Sequence, residues 1–93
     1  MTTYELIISG RVQGVGYRFF AQQCAAKYHI NGNVRNLSNG NVKIIAQCST
    51  EQLTEFVKVI QQPQHRFMKI NSVNITEIPT IKHYANFTIE YST

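Results

Sequence analysis

The sequence predicts an α+β fold: one antiparallel sheet carrying two helices on one of its faces. Three observations predict it. Apolar residues alternate with a period of two in the segments 4–10, 42–48 and 87–91, as they do in strands. They recur at helical spacing in two other segments, 17–28 and 49–62, each of which therefore has one stripe to bury. The order is strand, helix, strand, strand, helix, strand, with a short strand closing the chain, and two helices with one sheet pack as two layers. A length of 93 residues suits one domain, 1–93, and a hydrophobic fraction of 43% is enough for its core.

The elements follow in order. Tyr4, Leu6 and Ile8 face one side of the first strand, with Glu5, Ile7 and Ser9 on the other. Ile7 is apolar as well, which puts this strand in the middle of the sheet. Tyr17, Phe20, Ala21, Cys24, Ala25 and Tyr28 form the buried stripe of the first helix, and Asn31-Gly32 is expected to end it in the left-handed conformation. Asn33 to Leu37 is a second strand, and Asn39-Gly40 is a tight hairpin turn into a third, where Val42, Ile44, Ala46 and Cys48 alternate with Lys43, Ile45 and Gln47.

Ser49 and Gln52 have the spacing of a capping box and open a helix over 49–62, with Leu53, Phe56, Val57 and Ile60 as its stripe and Pro63 just past its end. A loop over 64–69 leads to a fourth strand within 68–78, where Val73 and Ile75 are the clearest inward pair, and Pro79 breaks it. Residues 80–86 read as irregular before the closing alternation of Phe87, Ile89 and Tyr91. Right-handed crossovers then give the ferredoxin-like split βαβ sandwich, strand order 4-1-3-2 with a short C-terminal strand in addition.

Composition narrows the function. The net charge of +4 comes from nine Lys and Arg against five acidic residues, all Glu. The basic residues are scattered, so there is no nucleic-acid arm, and a mildly basic surface attracts small anions without choosing among them. Cys24 and Cys48 fall on buried faces and read as free thiols that pack as small hydrophobes. His29, His65 and His83 are isolated and lack metal-ligand spacing, so they read as surface or loop residues; no metal or cofactor is expected. No basic leader and no membrane-length apolar run occur, so the expected place is the cytoplasm with no membrane partner. The end of the chain soon after its last strand suits a free-standing monomer.

The stretch that carries chemistry is Gly10-Arg11-Val12-Gln13-Gly14-Val15-Gly16-Tyr17-Arg18, a glycine-rich turn from a strand into a helix. Gly14 and Gly16 admit positive φ and close approach of backbone to a ligand. The first N–H groups of a helix lack intrahelical partners and sit at the positive end of its dipole, which makes an anion site. Arg18, in the first turn, adds a forked cation suited to phosphate oxygens. The same turn can also serve packing alone. It is no Walker A loop, since no Gly-Lys-Ser/Thr follows, and no dinucleotide fingerprint, since Phe19 stands in place of the third glycine.

Topology supplies a second candidate. The second strand ends at the same end of the domain as the glycine turn, and Asn36 shares the parity of Val34, which faces the helices. Arg18 and Asn36 are thereby brought together, although an asparagine before a hairpin is also an ordinary turn residue.

The run 10–18 resembles the first signature of the acylphosphatase family, and Gly32-Asn33-Val34-Arg35-Asn36-Leu37-Ser38-Asn39-Gly40-Asn41-Val42 resembles its second. The resemblance implies hydrolysis of an acyl phosphate, a carboxyl-phosphate anhydride, to carboxylate and phosphate. It implies catalytic roles for Arg18, which binds the substrate phosphate, and Asn36, which positions the attacking water. It also implies that the loop Gln13, Gly14, Val15, Gly16 and Tyr17 supplies backbone N–H groups to that phosphate. Two positions depart from the family pattern: Asn33 stands where a large aromatic is common, and Gln62-Pro63 replaces Gly-Pro.

The sparse residue set suits this chemistry. A carboxylate with a conjugate acid of pKa about 4 leaves without a proton donor. Phosphoryl transfer is mostly positioning and electrostatic stabilisation. Neither motif holds a carboxylate for magnesium, and no Cys or Ser in the turn could form a phosphoenzyme. Tyr17, Phe19 and Phe20 read as core and rim packing. Two other readings compete. A non-catalytic RNA-binding module of this fold calls for aromatic-rich strands, which the first and third strands are not. A protein-binding or regulatory domain of a larger carbamoyl-transfer system is the other. Nothing in the sequence reads the acyl side of a substrate.

Overall fold

The computed structural model describes residues 1–91, leaving the last two positions of the expected 1–93 domain outside them. The elements are β1 (Thr2–Arg11), α1 (Tyr17–Lys27), β2 (Asn31–Asn36), β3 (Val42–Cys48), α2 (Thr50–Ile60), β4 (Lys69–Ile78) and β5 (Phe87–Glu90). They form one five-stranded sheet in the order β4-β1-β3-β2-β5. This is the expected 4-1-3-2 arrangement with the short strand added beside β2.

The registers place the core. Tyr4, Leu6 and Ile8 of β1 pair with Ala46, Ile44 and Val42 of β3, and Gly32, Val34 and Asn36 of β2 pair with Ala46, Ile44 and Val42 from the other side. All of these share the helix-covered face. Leu6, Ile8, Val34, Val42 and Ile44 are fully buried there against Tyr17, Ala21 and Ala25 of α1 and Phe56 and Ile60 of α2. The Ser49–Gln52 capping box forms as expected, satisfying two backbone N–H groups at the start of α2.

Four differences from the sequence expectation have clear causes. First, the sheet is mixed: β5 runs parallel to β2. The segment leaving β4 crosses the uncovered face of the sheet to the opposite edge, so β5 enters in the direction of β2. Gln47 holds this crossing. Its side chain is buried, donates to the Lys82 carbonyl and accepts the Tyr84 N–H at 2.9 Å. At the far edge the Gly32 N–H donates to the Asn86 carbonyl at 2.9 Å.

Second, α1 stops at Lys27, and the left-handed residue behind it is His29, φ 57°. Asn31-Gly32 already belongs to β2. Gly32 is needed for strand contact instead: at φ 147° a Cβ there would overlap the Ile45 carbonyl. Third, Phe20 and Tyr28 of the α1 stripe and Val57 of the α2 stripe are only partly buried. Fourth, Val73 and Ile75 both face α2's side of the sheet, but β4 is an edge strand. Val73 packs against the core while Ile75 stays 43% exposed.

Candidate active site

The site begins where β1 leaves the sheet. Val12 is buried, and residues 13–16 then turn the chain into α1. Gly14 (φ 74°) and Gly16 (φ 83°) are both left-handed, and a Cβ on either would meet no other atom within 4 Å. Glycine therefore serves the backbone conformation here and not the space around it. A residue with a side chain costs about 1–2 kcal/mol in that region. Gly16 is the N-cap of α1; it offers no side-chain cap, and no acidic residue stands in the first turn. The first backbone bond at this end runs from the Phe20 N–H to the Gly16 carbonyl, 3.1 Å. The N–H groups of Tyr17, Arg18 and Phe19 precede it, ahead of the point where intrahelical acceptors become available.

Two side chains fasten the loop to its surroundings. The Gln13 amide donates to the carbonyls of Leu37 and Asn41, both at 2.8 Å, and so ties the loop to the β2–β3 hairpin. The Tyr17 hydroxyl donates to the Ile60 carbonyl at 2.9 Å. Burial, with a smaller contribution from Cys24, pushes the Tyr17 phenol well above its ordinary range, so Tyr17 acts as a neutral anchor between the helices.

Between loop, β2 and β5 lies a hollow of about 170 Å³. Gly14, Gly16, Tyr17 and Arg18 line it from the loop and helix start, and Asn36 lines it from β2. The Arg18 guanidinium is held from behind. Nη1 donates to the Glu90 carbonyl at 3.2 Å, and the group stacks 4.9 Å from the centre of the Tyr91 ring. Asn36 Oδ1 is buried with no hydrogen-bond partner in the protein. Asn33 Oδ1, on the other face of β2, shares that property, so an orphaned amide oxygen does not mark the site by itself. Its place beside an arginine and an open helix start does.

The structure thus gathers Gly14, Gly16, Tyr17, Arg18 and Asn36 around one hollow. Gln13 and Val15 do not line it: Gln13 reaches the hairpin, and Val15 packs partly into the core. Phe19, Ile89 and Tyr91 do line it, and sequence reasoning did not assign them there. The alternation of 87–91 was visible, but not the neighbour that this strand would choose.

Volume alone would point elsewhere. A hollow of about 690 Å³ lies between α1 and residues 85–87. Its lining includes no Lys or Arg, so it lacks the charge that an anion requires.

The acylphosphatase family matches residues 4–89. Curated acylphosphatases from Ligilactobacillus salivarius and Bacillus licheniformis are 38% and 40% identical, each over 98% of this chain and the whole of the relative. The crystal structure of acylphosphatase from Bacillus subtilis superposes with a TM-score of 0.89 at 35% identity, covering 98% of this chain and all of that one. The chain belongs to the acylphosphatase family.

Acylphosphatases are hydrolases acting on acid anhydrides, and the chain is an enzyme of that class. A binding module without catalysis is not favoured. The sheet face turned away from the helices agrees with this: Thr3, Ile45 and Gln47 are buried under the crossing segment, and Glu5, Ile7 and Lys43 on the rest of β1 and β3 offer no aromatic on which a base could stack.

Neither cysteine nor any histidine lines the hollow. Cys24 and Cys48 are buried and free. Burial pushes both thiols up, Cys48 to about 11, which disfavours the reactive thiolate. All three histidines are exposed. Among the described residues no three His, Cys, Asp or Glu side chains come together, and no helix is long and apolar enough to cross a membrane.

Proposed function

We propose that this protein hydrolyses an acyl phosphate to a carboxylate and inorganic phosphate without a metal ion, the work of a single domain whose site is complete within one chain. The observation that carries the reading is the convergence of Arg18 and Asn36 on one hollow at an uncapped helix N-terminus.

In this reading the phosphoryl group lies against Arg18 and the amides of the Gln13–Tyr17 loop. The guanidinium fork and the helix start balance the charge that spreads over its equatorial oxygens. The Asn36 carboxamide, in the wall of the hollow, hydrogen-bonds the attacking water and turns its oxygen toward phosphorus. Glutamine does similar work in GTPases. The water oxygen forms the new P–O bond as the bond to the acyl oxygen breaks. The electron pair leaves on the carboxylate, and the water proton ends on phosphate or in solvent. With a conjugate acid of pKa about 4, this leaving group needs no general acid.

Purified protein in excess EDTA is expected to release phosphate from both acetyl phosphate and benzoyl phosphate, with inorganic phosphate as a competitive inhibitor. Absence of turnover in EDTA, with recovery on adding magnesium, would overturn the metal-free reading.

The acyl group then points to the mouth of the hollow, where Phe19 and Tyr91 are 60% and 77% exposed. Phe19→Ala is expected to raise KM for benzoyl phosphate about 3- to 10-fold, the usual worth of one aromatic contact. KM for acetyl phosphate should be unchanged, so the ratio of the two constants is the measurement that checks it.

A further inference from the structure

His65 lies outside the hollow, on the loop that follows α2, yet it is bonded to the glycine turn. Its Nδ1 accepts the Phe67 N–H at 3.2 Å, and its Nε2 stands 3.0 Å from the Val15 carbonyl. Since Nδ1 is the acceptor, Nε2 carries the proton of the neutral ring and donates it to Val15. Among the described residues there is no cis peptide, and in a trans peptide the C=O and N–H point in opposite directions. With the Val15 carbonyl turned toward His65, the Gly16 N–H is turned away from it. Gly16 is part of the wall of the hollow and His65 is not.

Val15 sits between Gly14 and Gly16, two left-handed residues without Cβ atoms. Rotation of the intervening peptides meets little steric resistance there. A flipped Val15–Gly16 peptide would present a carbonyl where an anion needs a donor. We propose that His65 is a positioning residue for the phosphate site, holding the Val15–Gly16 peptide so that its N–H serves bound phosphate. This rests on the reading that the loop amides bind that phosphate.

The test measures competitive inhibition by inorganic phosphate during benzoyl phosphate hydrolysis in the wild type, His65→Ala, His65→Gln and Arg18→Ala. Loss of one neutral hydrogen bond should raise the inhibition constant of His65→Ala roughly 3- to 10-fold. His65→Gln, whose amide N–H reaches as far as Nε2, should restore most of the affinity. Melting temperatures of both His65 variants should stay near that of the wild type, because the side chain is exposed. In amide NMR spectra, the Gly16 N–H should shift on phosphate addition in the wild type and far less in His65→Ala.

An unchanged inhibition constant in His65→Ala, or a glutamine variant no better than alanine with both folded, overturns the proposal. If Arg18→Ala leaves phosphate inhibition untouched, the phosphate-site reading itself fails and this proposal goes with it. A rise for Arg18→Ala but not for His65→Ala removes the His65 role alone.

Discussion

Arg18→Ala is expected to lower kcat/KM for acyl phosphates by about 10³-fold, within the range for removing a guanidinium or a preorganised donor from a transferring phosphoryl group. The loss should appear in KM and kcat together, because the charge meets the phosphate in the ground state and more of it as the transition state develops. Arg18→Lys is expected to recover only part. A lysine supplies a point charge but not the planar fork, and it cannot reproduce both the bond to the Glu90 carbonyl and the stacking on Tyr91. Since Arg18 is partly exposed and its partners lie at the end of the chain, the melting temperature should move little. Steady-state kinetics with a thermal melt check both halves. Activity within tenfold of wild type in a folded Arg18→Ala protein would remove the phosphate-binding role.

Asn36→Ala is expected to cut kcat by about 10²- to 10³-fold while KM changes little. A group that orients water contributes to the transition state and not to the binding of the phosphate. Stability should follow an unusual course. A buried amide oxygen without a partner is a burden of about 1–3 kcal/mol, and Asn36 Oδ1 is in that position. Asn36→Leu, similar in size, is therefore expected to melt at or above the wild-type temperature while losing activity. Such an exchange of stability for function is common at active sites. A large drop in stability would instead mark Asn36 as a structural residue of the hairpin.

Much of this site was legible in the sequence because its parts obey short periods. Asn36 could be assigned to the helix face from the exact period of two in strands, once Val34 was taken as buried. The glycine turn and Arg18 were legible from the order strand, turn, helix. Gln13 was expected among the phosphate-binding loop residues, and its side chain turns out to tie the loop to the hairpin carbonyls of Leu37 and Asn41. No pattern in residues 10–18 announces that, because the acceptors are backbone atoms of another element. Asn31-Gly32 shows a different limit of local pattern. Its residue types fit a helix end, but Gly32 is required by the close approach of β3.

Local pattern by itself determined the two helical stripes, the capping box, the order of the elements, the arginine at a helix start and the face of the strand that carries Asn36. Tertiary structure alone decided that β5 joins the sheet parallel to β2 and that Glu90 and Tyr91 close behind Arg18. It alone decided that the loop after α2 reaches the Val15 carbonyl and that Phe19 stands at the mouth of the hollow. Periodicity records which way a side chain faces within its own element. It carries no record of which distant segment will arrive opposite, because that depends on how the whole sheet and its crossing connection come together.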